Sequence, residues 1–147
     1  MVTYNYNCNG RKKEMNPDGR KKIVVLDDNE IFAELLAAAM EEHCQVLVGH
    51  TGLQGIAYFL EGGVDAVVTD ISMPDFDGLR MLEEMSRNPA LRHIPVIVVT
   101  ATHFTRISRD SLSRYSQVMR MLNKQESVSK ISAEVLDVLA GGGRCGF

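Results

Sequence analysis

Two adjacent carboxylates, Asp27 and Asp28, end one apolar run (23–28), and a third, Asp70, ends another (65–70). If both runs form parallel strands that lie side by side, the three acidic groups meet at the carboxyl edge of the sheet. Like charges in such a cluster repel each other unless a cation lies among them, and oxygen-only ligands suit Mg²⁺. One carboxylate then remains available as a nucleophile. The pattern therefore predicts metal-assisted phosphoryl transfer onto an aspartate.

Two further polar residues end later apolar runs of the chain, Thr100 and Lys124. A lysine in such a site can hold phosphate oxygens as a point charge, and a threonine hydroxyl can donate to a new phosphoryl oxygen. A single polar residue at a strand end is usually a cap or a solvated loop group. Three acids, a hydroxyl and an ammonium at such positions are much harder to attribute to chance.

The elements that must position these residues alternate along the chain. From Lys22 onward, short apolar runs alternate with longer amphipathic ones, which is typical of βαβ units and a parallel sheet. We predict an α/β fold with strands at 23–26, 45–50, 66–70, 94–100 and 118–122. The runs between and after them predict helices at 30–42, 51–61, 78–87, 105–115 and 127–140, the second with Thr51 as its cap.

Length and composition predict one domain at residues 22–140, between a flexible basic arm (1–21) and a flexible tail (141–147). The chain has 147 residues, 45% of them hydrophobic and 24% charged, as in an ordinary globular protein. Its three cysteines are widely spaced, which favours neither a disulfide framework nor a zinc site. We find no run long enough to cross a membrane and no signal core, so we expect a cytoplasmic protein.

The net charge of −3 conceals a strong asymmetry. Residues 1–22 carry six Lys/Arg and two acids, and residues 103–147 carry seven Lys/Arg and four acids. Residues 23–102 carry three Arg and thirteen acids. An acidic central block suits a cation site, and the basic C-terminal third suits an acidic partner, although both are also consistent with solvated surfaces.

The motifs together resemble the receiver domain of bacterial two-component response regulators, including single-domain chemotaxis-type members. The resemblance rests on IVVLDD (23–28), VVTDISMPDFDG (67–78), VIVVTA (96–101) and Lys124, and it covers roughly residues 22–140. It implies a flavodoxin-like, doubly wound parallel sheet of five strands in the order 2-1-3-4-5, with five helices. It also implies phosphotransfer from a histidine kinase or phosphotransfer protein, by a phosphoacceptor that is not a conventional enzyme.

The resemblance also implies a role for each site residue. Asp70 would accept the phosphoryl group, and Thr100 and Lys124 would contact it. The Mg²⁺ ligands would be three carboxylates and one backbone carbonyl, from Asp27, Asp28, Asp70 and Ser72. We interpret the remaining acids of the loop as turn and capping residues, Asp75 and Asp77.

Three departures from the family pattern lie on the side of the domain that receivers use to signal. Gln125 follows Lys124 where a proline is usual, and Met121 stands where a tyrosine or phenylalanine is usual. The small Ala-Gly turn before the fifth strand is replaced by SLSRYSQ (111–117).

We expect output through protein contacts of residues 103–140, in a monomer or weak dimer that binds no nucleic acid directly and does not insert into membranes. The first alternative is an adaptor of the same fold that binds its partner independently of phosphorylation. A flavodoxin-like electron carrier would need a glycine- and hydroxyl-rich loop where DDNEI stands. An aspartate-nucleophile phosphatase would usually need a D-x-D pair, and nucleic-acid binding is supported only by the basic arm.

Overall fold

The computed structural model describes residues 4–6, 12–14, 19–71, 78–101 and 106–142. Near the N-terminus, β1 (Tyr4–Tyr6) pairs antiparallel with β2 (Lys12–Glu14). Three residues per strand are too few for an alternating pattern to be recognised, so this pair was not predicted from the sequence. The flexible arm (1–21) and the flexible tail (141–147) stay predictions, and residues 143–147 lie outside the described part of the chain.

Five parallel strands form the main sheet, and they confirm the predicted fold class. They are β3 (Lys21–Leu26), β4 (Cys44–Gly49), β5 (Ala66–Thr69), β6 (Val96–Thr100) and β7 (Val118–Asn123). Their order in space is β4-β3-β5-β6-β7, which is 2-1-3-4-5 when the strands of this sheet are counted along the chain. The observed ends differ from the predicted ones by at most two residues, because hydropathy does not mark where pairing stops.

Helices connect and flank these strands: α1 (Glu30–Met40), α2 (Gly52–Glu61), α3 (Gly78–Arg87), α4 (Arg106–Ser113) and α5 (Val128–Leu139). Side-chain oxygens of Asn29, Thr51 and Ser127 accept backbone N–H groups in the first turns of α1, α2 and α5. These caps satisfy donors that have no partner inside the helix and so define where each helix begins. Within the described residues, no helix is long and apolar enough to cross a bilayer.

The sheet separates two hydrophobic cores. Val24 and Leu26 face one core, and Ile23 and Val25 face the other. All four are at most 1% exposed. A parallel strand covered by helices on both faces requires apolar side chains at its buried positions, which explains the uninterrupted apolar runs at 23–26 in β3 and 96–99 in β6.

The edge strand β7 contains an irregularity that places a charge inside the protein. Val96 is opposite Val118 but Ile97 is opposite Arg120, so Met119 is an extra residue in the register. The Arg120 side chain is 5% exposed, and its guanidinium contacts Glu134 at 3.0 Å and Asp137 at 2.6 Å. Both acids are on α5, so an ionic contact joins this helix to the edge strand. Neither feature was predicted from the sequence, since VMRML reads as an ordinary strand.

The segment that replaces the Ala-Gly turn is held by side-chain hydrogen bonds. Gln117 is buried, and its Nε2 donates to the carbonyl of Ile94 at 3.0 Å. The Tyr115 hydroxyl donates to Glu83 Oε2 on α3 at 2.8 Å. The departure in sequence is thus accompanied by specific contacts to the α3–β6 side of the domain.

Candidate functional site

The strand ends bring the three predicted carboxylates together. Asp27 follows β3 and Asp70 follows β5, and the Asp70 N–H donates to the carbonyl of Leu26 at 3.0 Å. Asp27, Asp28 and Asp70 each offer a carboxylate oxygen, and these oxygens lie within 4.8 Å of one another. Asp27 and Asp70 are buried, whereas Asp28 is exposed. Parallel pairing of β3 with β5 is therefore what forms the cluster.

The chain after Asp70 returns close to the sheet. The Gly78 N–H donates to the carbonyl of Ile71 at 3.0 Å, and a Cβ at position 78 would come within 2.5 Å of Ile71 Cα. Glycine is therefore required by close approach of two backbones, and α3 begins there. The predicted carbonyl ligand Ser72, and Asp75 and Asp77, lie outside the described residues.

Lys124 lies among the buried acids. Its ammonium nitrogen is 2.7 Å from Asp27 Oδ2 and 2.8 Å from Asp70 Oδ2, so one cation bridges two carboxylates that follow neighbouring strands. Its backbone N–H donates to the carbonyl of Thr100 at 2.8 Å. Thr100 ends β6 and is 7% exposed. The pairing of β6 with β7 thus places Lys124, directly after β7, beside the acidic cluster.

Burial and charge change the ionisation of this cluster. Burial raises the pKa of Asp27, and the nearby Asp70 adds to the rise, whereas hydrogen bonds from Lys124 and Asn29 offset part of it. Burial alone would lower the pKa of Lys124, but its hydrogen bonds and charge interactions with Asp27 and Asp70 outweigh burial and raise it. The ammonium therefore stays charged at neutral pH and neutralises part of the cluster.

The turn after β7 is stabilised by Asn123. The family usually has a proline two residues later, at the position of Gln125. Asn123 Oδ1 accepts the backbone N–H of Gln125 at 2.9 Å, and the Asn123 carbonyl accepts the N–H of Glu126 at 3.0 Å. A proline at position 125 has no N–H to donate, so this turn depends on the substitution. The described residues contain no cis peptide bond.

If Asp70 accepts a phosphoryl group, as the sequence predicts, Asn123→Ala should slow its phosphorylation by acetyl phosphate severalfold, because Lys124 loses the turn that holds it. Asn88→Ala is the matched control, since Asn88 Oδ1 accepts the N–H of Ala90 at 2.9 Å in the same kind of turn. Each variant should lose about 1 kcal/mol in the free energy of unfolding. Urea unfolding and a time course of intact mass would separate the two effects. Equal rates for both variants would contradict a role for the Asn123 turn.

Three further residues complete the surroundings of the cluster. Asn29 donates its N–H to Asp27 Oδ1 at 2.9 Å and accepts the N–H of Phe32 at 3.1 Å. The Lys124 ammonium lies 5.2 Å from the centroid of the Phe32 ring. The His50 ring nitrogen Nδ1 lies 3.0 Å from the carbonyl oxygen of Asp27, and because a carbonyl only accepts, this nitrogen carries the proton.

The donor set fits a hard divalent cation. All the side-chain donors of the cluster are carboxylate oxygens, and Mg²⁺ is bound in proteins by one or two carboxylates together with waters and phosphate oxygens. The exposed Asp28 leaves the cluster accessible from solvent. A zinc or copper site would instead use nitrogen or sulfur ligands.

Comparison with known proteins matches the chain to a family model and to several of its relatives. Residues 23–136 match the family model of the response regulator receiver domain. The regulatory protein VanRc of Enterococcus gallinarum is 28% identical over 118 residues, which cover 78% of this chain and 50% of VanRc. The polar-differentiation response regulator DivK of Brucella ovis is 32% identical over 85 residues, which cover 55% of this chain and 67% of DivK.

Solved structures agree with the fold. The Mn²⁺-bound form of response regulator Rcp1 superimposes with a TM-score of 0.69 at 21% identity, and the match covers 80% of this chain and 92% of the Rcp1 chain. Identity at this level supports the architecture alone. The chain spans about half the length of VanRc.

Proposed function

Because the chain belongs to the response regulator receiver family, we propose that it accepts a phosphoryl group on Asp70 in a Mg²⁺-dependent reaction. The donor is a histidine kinase or a phosphotransfer protein, and the phosphorylated domain signals through protein contacts. The observation that carries this proposal is the Lys124 ammonium, which bridges Asp27 and Asp70 at 2.7 and 2.8 Å. A partly buried cation beside a strand-end aspartate is suited to hold the oxygens of a group transferred to that aspartate.

In the proposed reaction, an Asp70 carboxylate oxygen attacks the phosphorus of the donor. The bond from phosphorus to the donor nitrogen or oxygen breaks, and its electron pair leaves with the donor. Asp27, Asp28 and Asp70 would hold Mg²⁺, and the bound ion would supply positive charge that offsets the negative charge of the transferring group. Lys124 binds a phosphoryl oxygen, and the Thr100 hydroxyl donates to another.

We further propose that the downstream partner is a protein that binds through residues 103–140. This region contains the three departures from the family pattern, and its net charge is positive while the preceding block is acidic. Gln117 and Tyr115 tie part of it to the α3–β6 side of the domain. Direct binding of nucleic acid, membrane insertion and strong self-association remain unexpected.

Acetyl phosphate with Mg²⁺ tests the proposal without a kinase. We expect the intact mass to increase by one phosphoryl group, and EDTA should prevent the increase. Beryllofluoride with Mg²⁺ should produce amide chemical-shift changes at Asp70, Thr100 and Lys124 in the same sample. If neither reagent has a Mg²⁺-dependent effect, the phosphorylation-independent adaptor becomes the better interpretation.

A further inference from the structure

We propose that Phe32 is a positioning residue for Lys124, and that its ring holds the ammonium at the site when a divalent cation occupies the acids. This inference rests on the proposed function. It comes from a closed cycle of contacts in which each of four residues touches the next, Asp27, Asn29, Phe32 and Lys124. These contacts join the end of β3, the start of α1 and the turn after β7.

The geometry of the ammonium over the Phe32 ring is that of a cation–π contact. The Lys124 nitrogen is 5.2 Å from the ring centroid, inside the roughly 6 Å range over which the ring quadrupole attracts a cation. The Lys124 side chain is 19% exposed, so water screens this attraction less than at an open surface. Phe32 itself is partly buried and packs against the core that contains Ile23 and Val25.

The same acids that bind Lys124 are the proposed metal ligands, which sets up a competition. Lys124 is bonded to Oδ2 of both Asp27 and Asp70. A divalent cation on these carboxylates weakens their hold on the ammonium and also repels it. With the carboxylates as its only partners, the lysine would be displaced toward solvent and away from Asp70.

Phe32 is a partner that the metal does not compete for. An aromatic face attracts an ammonium ion but offers no oxygen to Mg²⁺, so this contact persists when the carboxylates are occupied. The ammonium then stays within reach of a phosphoryl group on Asp70. Phe32 touches the lysine and not the reacting atoms, so it acts by positioning.

The position of Phe32 is itself fixed by the metal-binding segment. Asn29 caps α1 by accepting the Phe32 N–H, and its own N–H donates to Asp27 Oδ1. Phe32 is consequently held only one helical turn from Asp28. The Phe32 ring is carried by α1, which begins shortly after the acidic pair.

Lysine side-chain NMR of the wild-type protein tests the contact without any phosphorylation. Protons on Lys124 Cε above an aromatic face should resonate upfield of those of other lysines, and a Lys124→Met spectrum assigns them. We expect this upfield shift to persist at saturating Mg²⁺ in wild type and in Phe32→Tyr, and to be absent in Phe32→Leu. Loss of the shift when Mg²⁺ is added to wild type would overturn the proposal.

Acetyl phosphate kinetics provide the second measurement. Phe32→Leu keeps an apolar side chain but removes the ring, and should lower the maximal phosphorylation rate about 3- to 10-fold with little change in the Mg²⁺ Kd. Phe32→Tyr should restore the rate to within about twofold of wild type. Ile31→Leu, on an exposed side chain of the same turn, is the control and should react as wild type does.

The two measurements separate the inference from the proposed function. If wild type is not phosphorylated, the proposed function fails, while the NMR experiment still decides whether Phe32 holds the ammonium. If wild type reacts but Phe32→Leu and Phe32→Tyr slow it equally, the ring has no positioning role. If Phe32→Leu does not fold, the Mg²⁺ titration of wild type alone decides whether the contact persists.

Discussion

Asp70→Asn is expected to abolish the mass increase that acetyl phosphate and Mg²⁺ produce. The amide keeps the size of the side chain but removes the charge and the nucleophilic oxygen, so no acyl phosphate forms. The initial rate should fall at least about 100-fold, which corresponds to roughly 2.7 kcal/mol in the activation free energy. Intact-mass spectrometry at several times after mixing measures this directly.

The control for this experiment is an aspartate remote from the cluster. Asp110→Asn changes the same functional group on the exposed side of α4 and should react at the wild-type rate. A mass increase that survives in Asp70→Asn at an unchanged rate would assign the nucleophile to another residue. Loss of the mass increase in both variants would instead indicate a general effect of removing one negative charge.

Lys124→Met is expected to have opposite effects on metal binding and on phosphorylation. In the wild type, Mg²⁺ bound as proposed would have to displace the ammonium from two carboxylates, so removal of the lysine should tighten Mg²⁺ binding by about tenfold, or ~1.4 kcal/mol. The same change removes the cation proposed to hold the phosphoryl oxygens, so the rate of phosphorylation should fall about 10- to 100-fold. Isothermal titration calorimetry and intact mass give the two values.

Lys130→Met is the matched control for Lys124→Met. Lys130 is exposed on α5 and pairs at 3.0 Å with Glu126, which lies just before that helix, and the loss of Lys130 should change neither value. If Lys124→Met weakens Mg²⁺ binding, the lysine helps to shape the metal site and does not compete for it. That result would contradict the competition on which the Phe32 inference depends.

The raised pKa of Asp27 adds a pH dependence to these measurements. Mg²⁺ and a proton would compete for this carboxylate. Because burial raises the pKa of Asp27 above its ordinary value of 3.8, the proton becomes an effective competitor at a higher pH. Mg²⁺ affinity should therefore begin to fall at a higher pH than for an exposed aspartate as the solution is acidified. In Lys124→Met the fall should start at a still higher pH, because the hydrogen bond that lowers the pKa of Asp27 is gone.

The sequence was sufficient for the fold wherever burial covers a whole element. Residues 23–26 and 96–99 are apolar at every position because both faces of the sheet are covered, and no other element of that length fits such runs. The β1–β2 pair and the extra residue Met119 were not predictable in this way. Each depends on pairing between segments, which leaves no periodic trace in three or six residues.

The residues of the candidate site also differ in how far the sequence could predict them. The strand-end positions of Asp27, Asp70, Thr100 and Lys124 could be placed from the sequence because parallel strands share an edge. Phe32 could not, since it reads as one more apolar residue of a helix and only the reach of Lys124 brings the two together. Asn29 was not predicted as a cap, and its bond to Asp27 depends on the geometry of the loop between β3 and α1.

The contact between Arg120 and α5 limits how this domain can diverge or be recombined. The Arg120 side chain is 5% exposed, so loss of Glu134 and Asp137 would leave a buried charge without its acidic partners and destabilise the fold. Without Arg120, the two acids would no longer contribute this contact to stability. Substitutions at these three positions should therefore be correlated among sequences that descend from this one. A chimera that takes α5 from another receiver should assemble stably only when the donor helix supplies acids at the two facing positions.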